Sequence, residues 1–281
     1  MRKKDSEAFL MIIEKAVDKA KKSVDNRIFF LKDGNTEAKP AEEEDSSNQV
    51  SSNSRVVEID QDDIATRACL TERSSFGEIE SYKILRTRLH QCLIENNWNS
   101  LMVTSASDTE GKTLTAINLA ISFSKHYHQT VLLVDCDLRK QNIYRYLGYS
   151  QSYNLVDHIL DQVPLSDVMV RLKNYNMSVI SGKKTVDSGA EILGSSQMTR
   201  LFKELKNRYN DRIIIYDLPP ILLLADAIAC TSWIDSILFV VQYGKTSFQD
   251  IQKSLDRLPI KKFLGFVINR SKADNNKYDK Y

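Results

Sequence analysis

From residue 100 onward the chain alternates short apolar runs with longer amphipathic stretches. The runs are SLMVTS (100–105), TVLLVD (130–135), MSVIS (177–181), RIIIYD (212–217), SILFVV (236–241) and FLGFVIN (263–269). Each is close to continuous in aliphatic and β-branched residues, the pattern of a strand buried on both faces. Between them, segments such as KTLTAINLAISFSKHY and SSQMTRLFKELKNRY carry apolar residues at helical spacing. Strands alternating with helices predict an α/β fold with a mostly parallel central sheet and helices on both faces. Right-handed crossovers then bring the strand C-terminal ends, and any ligand, to one edge.

The chain before this region reads differently. Phe9, Ile12, Ile13, Ala16 and Ala20 recur at spacings of three and four, which predicts an amphipathic helix over 7–24 within an N-terminal region 1–32. Residues 33–75 contain the acidic, polar stretch KPAEEEDSSNQVSSNS and are expected to form a flexible linker. The main domain is expected over 76–270, followed by a polar, disordered tail at 271–281.

Charge and cysteine usage narrow the functional classes. Thirty-nine basic and 37 acidic side chains leave a net charge of +2, which argues against nucleic acid as partner. The four cysteines, Cys69, Cys92, Cys136 and Cys230, form no C-x-x-C pair, so no zinc site or disulfide framework is expected. There is no signal-peptide pattern and no apolar run of about 18 residues, so a cytoplasmic protein is expected.

The candidate chemistry begins at the end of the first run. Ala106-Ser107-Asp108-Thr109-Glu110-Gly111-Lys112-Thr113 meets the phosphate-loop pattern G-x-x-x-x-G-K-[ST] except at its first glycine, where Ala106 stands. It lies between a strand and a helix, so backbone N–H groups from about Thr109 to Thr113 can wrap a phosphate, with Leu114 next in the chain. Lys112 is expected to meet the β- and γ-phosphates of ATP and the Thr113 hydroxyl a Mg²⁺ ion. Two later runs end in carboxylates: Asp135 and Asp137 in VLLVDCDLRK, and Asp217 in RIIIYDLPP. Carboxylates at the ends of buried strands are costly unless a cation accompanies them, and Mg²⁺ with a triphosphate supplies one.

These segments, EGKTLTAINLA, VLLVDCDLR and IIIYDLPP, together resemble the bacterial tyrosine kinases of capsule and exopolysaccharide synthesis, above all the soluble CpsD/CapB type. The resemblance covers about residues 76–270 and implies a P-loop NTPase fold with ATP and Mg²⁺. It implies that Asp135 engages the incoming tyrosine hydroxyl, that Asp137 and Asp217 hold Mg²⁺ directly or through water, and that Asp226 is a further acid near the active site. From their place at the end of the last run, Asn269 and Arg270 could approach the adenine. EIESYKILRTRL resembles the E-x-x-R-x-x-R segment through which these kinases form rings, with Glu80, Lys83 and Arg86 in its three places. Tyr278 and Tyr281 are the candidate autophosphorylation sites, and the implied partner is a membrane-embedded co-polymerase or chain-length regulator.

Two departures stand out. The family loop usually reads P-G-E-G-K, whereas here Thr109 replaces a glycine where a turn wants positive φ, and Asp108 and Glu110 put two carboxylates near the phosphates. The tail holds only two tyrosines. A non-enzymatic nucleotide-binding adaptor and a partitioning-type ATPase are the alternatives; Ser107, standing where such ATPases carry a signature lysine, disfavours the second.

Overall fold

The computed structural model describes residues 54–125, 129–208 and 212–271. Eight strands form one sheet: β1 (Arg55–Val57), β2 (Ser100–Ser105), β3 (Thr130–Asp135), β4 (Met169–Leu172), β5 (Met177–Ile180), β6 (Arg212–Asp217), β7 (Ser236–Gln242) and β8 (Phe263–Asn269). Their order is β1-β4-β5-β3-β6-β2-β7-β8. Every neighbouring pair is parallel except β4 and β5, which run antiparallel. The six apolar runs are β2, β3, β5, β6, β7 and β8. Residues of β2 and β6 are buried throughout, as expected for central strands covered on both faces.

The covering helices follow from periodicity and capping. Helix α1 (Gln61–Thr66) is capped by Asp60, whose side chain accepts from the N–H groups of Asp62 and Asp63. Helix α2 (Phe76–Glu95) starts at a capping box made by Ser75 and Glu78 and buries Leu85, Leu89 and Leu93. Helix α3 (Lys112–Ser124) springs from the phosphate-loop sequence and is buried over most of its length against the sheet. Helices α4 (Leu155–Asp161), α5 (Ser196–Asn207) and α6 (Phe248–Arg257) complete the larger set. Two apolar clusters result, one on each face of the sheet. Met102, Val134 and Ile214 lie in one, and Leu101, Val103 and Leu133 in the other.

The described part of the expected linker, 54–75, is not a linker. β1 pairs with β4, and Ile59, Ile64, Cys69 and Leu70 are buried in the same cluster as α2 and α3. The physical reason is local: apolar residues resume at Val56-Val57 and recur often enough to cover the sheet, although charged neighbours dilute them. The N-terminal helix over 7–24 and the rest of the linker fall outside the described residues, as do Tyr278 and Tyr281. Among the described residues no helix is long and apolar enough to cross a membrane.

Candidate nucleotide and phosphotransfer site

β2, β3 and β6 deliver their last residues to the same edge of the sheet, and β3 and β6 place Asp135 directly opposite Asp217. The loop after β2 turns there into α3. Gly111 caps the helix at φ +99, and a Cβ at that position would lie 1.9 Å from Asn269 Nδ2, so only glycine fits. Thr109 takes φ +67, the left-handed conformation that the missing glycine would have adopted freely.

Inside this frame Lys112 meets two carboxylates. Its Nζ lies 2.8 Å from Asp137 Oδ2 and 3.6 Å from Asp217 Oδ1. Thr113 Oγ1 donates to Asp217 Oδ2 at 2.6 Å. Burial works against the lysine charge, but the nearby Asp217 and Asp137 more than offset it and push its pKa above the usual lysine range. Burial, reinforced by the charge of Asp217, pushes Asp135 up to about 8. Burial likewise pushes Asp217 up to about 6, with Lys112 and Thr113 opposing. One ammonium thus faces three carboxylates, and an additional cation fits that imbalance.

The donor set also suits one. Thr113 Oγ1, Asp137 and Asp217 are hard oxygens, and the buried Asp217 Oδ1 has no hydrogen-bond donor. Among the described residues no three His, Cys, Asp or Glu side chains form a self-sufficient metal cage. A cation held here would need further oxygen ligands from outside these side chains.

A cleft of about 1130 Å³ opens over this cluster. Asp108, Thr109, Gly111, Lys112, Thr113 and Leu114 line its floor, with Asp137 and Lys140 beside them. Asn269 and Arg270 line one flank, and Tyr82 and Tyr146 are also on the wall. Asp135 stands apart: it is fully buried and off the cleft wall, its Oδ2 taken by Ser181 Oγ (2.8 Å) and the N–H groups of Asn142 (3.0 Å) and Ile143 (3.1 Å). Asp226 is also fully buried and off the wall, paired with Arg139 at 3.2 Å.

The two carboxylates expected beside the phosphates are both engaged. Glu110 is turned inward and buried, its Oε2 accepting from Ser107 N (3.1 Å) and its Oε1 from the Thr246 hydroxyl. Asp108 pairs with Lys140 at 2.6 Å. Around them the loop is clamped from the ends of β7 and β8: Lys245 donates to Thr109 Oγ1 (2.9 Å) and Asn269 Nδ2 to the Glu110 carbonyl (2.8 Å). Lys140, Lys245 and Thr246 escaped the sequence reading because no motif marks them. Lys140 immediately follows the doubled-Asp segment and was the nearest to a signal.

Glu80, Lys83 and Arg86 all lie on α2, but they do different things. Glu80 and Lys83 form a surface pair at 2.7 Å, whereas Arg86 reaches across to the Ser122 carbonyl on α3 at 3.0 Å.

A family model described as an AAA domain matches residues 101–263, more than half of the chain and the whole stretch from β2 to the start of β8. The chain belongs to the AAA-domain family. Within it, the chain is 29% identical over 209 residues to the tyrosine-protein kinase YwqD of Bacillus subtilis, covering 74% of this chain and 86% of that protein. It is 30% identical over 179 residues to the tyrosine-protein kinase Wzc of Salmonella typhi; the match takes in 64% of this chain but only 24% of that longer protein. The kinase domain of the Escherichia coli tyrosine kinase ETK superposes with a TM-score of 0.63 at 26% identity, covering 69% of this chain and 77% of that domain. This AAA-domain chain is a member of the bacterial tyrosine-kinase group, and its sheet and phosphate loop are those of a P-loop NTPase.

Proposed function

We propose that the chain is an ATP-dependent protein-tyrosine kinase that transfers the γ-phosphate to tyrosines of its own tail in trans and regulates capsular or exopolysaccharide synthesis. The observation that carries this reading is the convergence of Lys112, Thr113, Asp137 and Asp217 at the N-terminus of α3, with Asp135 beside Asp217 on the neighbouring strand. A phosphate-loop ATPase needs the first part of this constellation. The second acidic strand end adds what acceptor chemistry requires.

In this reading the N–H groups at the start of α3 and from Thr109 onward bind the phosphates. Lys112 leaves its carboxylates to contact the β- and γ-phosphates. Thr113, Asp217 and Asp137 hold Mg²⁺, which when bound offsets the charge of the phosphates and of the carboxylates around it. Asn269 and Arg270 flank the nucleoside. Asp135 orients the acceptor phenol and takes its proton late, since the transition state is loose. Asp226 acts through Arg139, its ion-pair partner. Glu80, Lys83 and Arg86 contribute to self-association, and a membrane-embedded co-polymerase recruits the kinase to the inner membrane from the cytoplasmic side.

Phosphotyrosine mapping after incubation with Mg-ATP, alone and with the co-polymerase's cytoplasmic tail, tests the reading. Phosphate on Tyr278 or Tyr281 is expected, disappearing in Lys112→Met and in the double change Tyr278→Phe/Tyr281→Phe. No phosphotyrosine under either condition, with ATP binding intact, would overturn it.

A further inference from the structure

Thr246 lies between β7 and α6, is buried, and belongs to none of the motifs above. Its hydroxyl accepts from Gln242 N at 2.9 Å and donates to Glu110 Oε1, and Ser107 N donates to Glu110 Oε2 at 3.1 Å. The Glu110 carbonyl is held as well, by Asn269 Nδ2 at 2.8 Å. Residue 110 is thus tied through both side chain and main chain to the ends of β7 and β8. Its two chain neighbours are the left-handed residues of the phosphate loop, Thr109 at φ +67 and Gly111 at φ +99. Alternation of this kind turns successive N–H groups to one side, the concavity that takes an anion. Burying a carboxylate is costly, and a carboxylate in a phosphate loop also repels the ligand. Glu110 makes sense there if it holds the loop in shape.

We propose that Thr246 is a positioning residue for nucleotide binding, acting through Glu110 to hold the phosphate loop in its anion-receiving shape. This rests on the reading of residues 106–113 as the nucleotide loop, and not on the fate of the phosphate. Glu110 is then a strut and not a phosphate contact: its two oxygens are spent on Ser107 and Thr246, pointing away from the N–H groups that follow Thr109. Two other roles make different predictions. If Thr246 merely closes the turn after β7 through Gln242, its loss lowers stability and leaves the affinity of the folded protein alone. If Glu110 acts chiefly by its charge, removing it relieves repulsion and tightens nucleotide binding.

The experiment titrates full-length protein with Mg-ADP in a calorimeter, at a temperature where each variant is folded, and records the nucleotide-free thermal midpoint of each. Thr246→Val keeps the shape and removes the hydroxyl; it should weaken binding about 10-fold or more, the scale of a lost buried bond and a loop that must be ordered by its ligand. Thr246→Ser, which keeps the hydroxyl, should recover most of the affinity. Glu110→Ala should also weaken binding, although it takes a negative charge out of the loop. In that background Thr246→Val should cost no further affinity. Should Thr246→Val fail to fold, Thr246→Cys carries the comparison, with a weaker donor and an intermediate loss. Wild-type affinity in folded Thr246→Val or Thr246→Cys, or tighter binding by Glu110→Ala, overturns the positioning role alone. A wild-type chain that binds no Mg-ADP overturns the nucleotide loop and this proposal with it.

Discussion

Thr109 shows how a single residue carries the cost of an altered phosphate loop. A β-branched side chain at φ +67 is strained by about 1–2 kcal/mol relative to glycine, and the Lys245 contact to its hydroxyl returns only part of that. Thr109→Gly should therefore raise the thermal midpoint by a few degrees and tighten nucleotide binding, read by calorimetry and titration. A lower midpoint would show that the Lys245 contact outweighs the strain. The need for positive φ here was legible in the sequence, from the family loop and the absent glycine. The fate of Glu110 was not. Its partner Thr246 is 136 positions away, and only the fold brings the two together. Local spacing reveals a helix N-terminus and a lysine at its first turn; it does not reveal which side chains lean on that turn from another strand.

At the scale of elements, long continuous apolar runs were readable because burial on both faces leaves no room for polar residues. The shorter strands β1 and β4 were not readable, since each is too short to show a period and contains an arginine. Helix α2 separates two roles that its sequence presents as one. Arg86 donates to a carbonyl of α3 and lies partly buried, whereas the Glu80–Lys83 pair is on the surface. Arg86→Ala should cost about 1–3 kcal/mol of stability, measured by denaturant unfolding, because a buried carbonyl loses a charged donor. Glu80→Ala and Lys83→Ala should leave stability within about 0.5 kcal/mol and act on association, measured by light scattering. Equal destabilisation by all three would contradict this division.

Across the whole molecule, two buried carboxylates gathered at one sheet edge, Asp135 and Asp217, tie stability to pH. Asp135, at about 8, and Asp217, at about 6, hold protons in the folded protein that the unfolded chain releases near pH 4. Between pH 4 and 8 the unfolded state therefore binds fewer protons, and rising pH favours unfolding. This contribution is fully present below about pH 4 and is lost by about pH 8. Thermal melts from pH 5 to 8 should show that fall, and Asp135→Asn should remove part of it. An identical pH slope in the variant would contradict the assignment.

The lysine between Asp137 and Asp217 has one more consequence. It is the site's resident counter-ion, so nucleotide binding is an exchange of cations rather than a simple addition. An arriving triphosphate must draw the ammonium away, and the carboxylates release it readily only to a visitor that brings positive charge of its own. Bare nucleotide should bind at least about 10-fold more weakly than its magnesium complex, a difference of about 1.4 kcal/mol, which titration with and without EDTA would measure. When product departs, the lysine swings back and closes the circuit. The empty protein thus keeps part of its acidic charge offset while it waits.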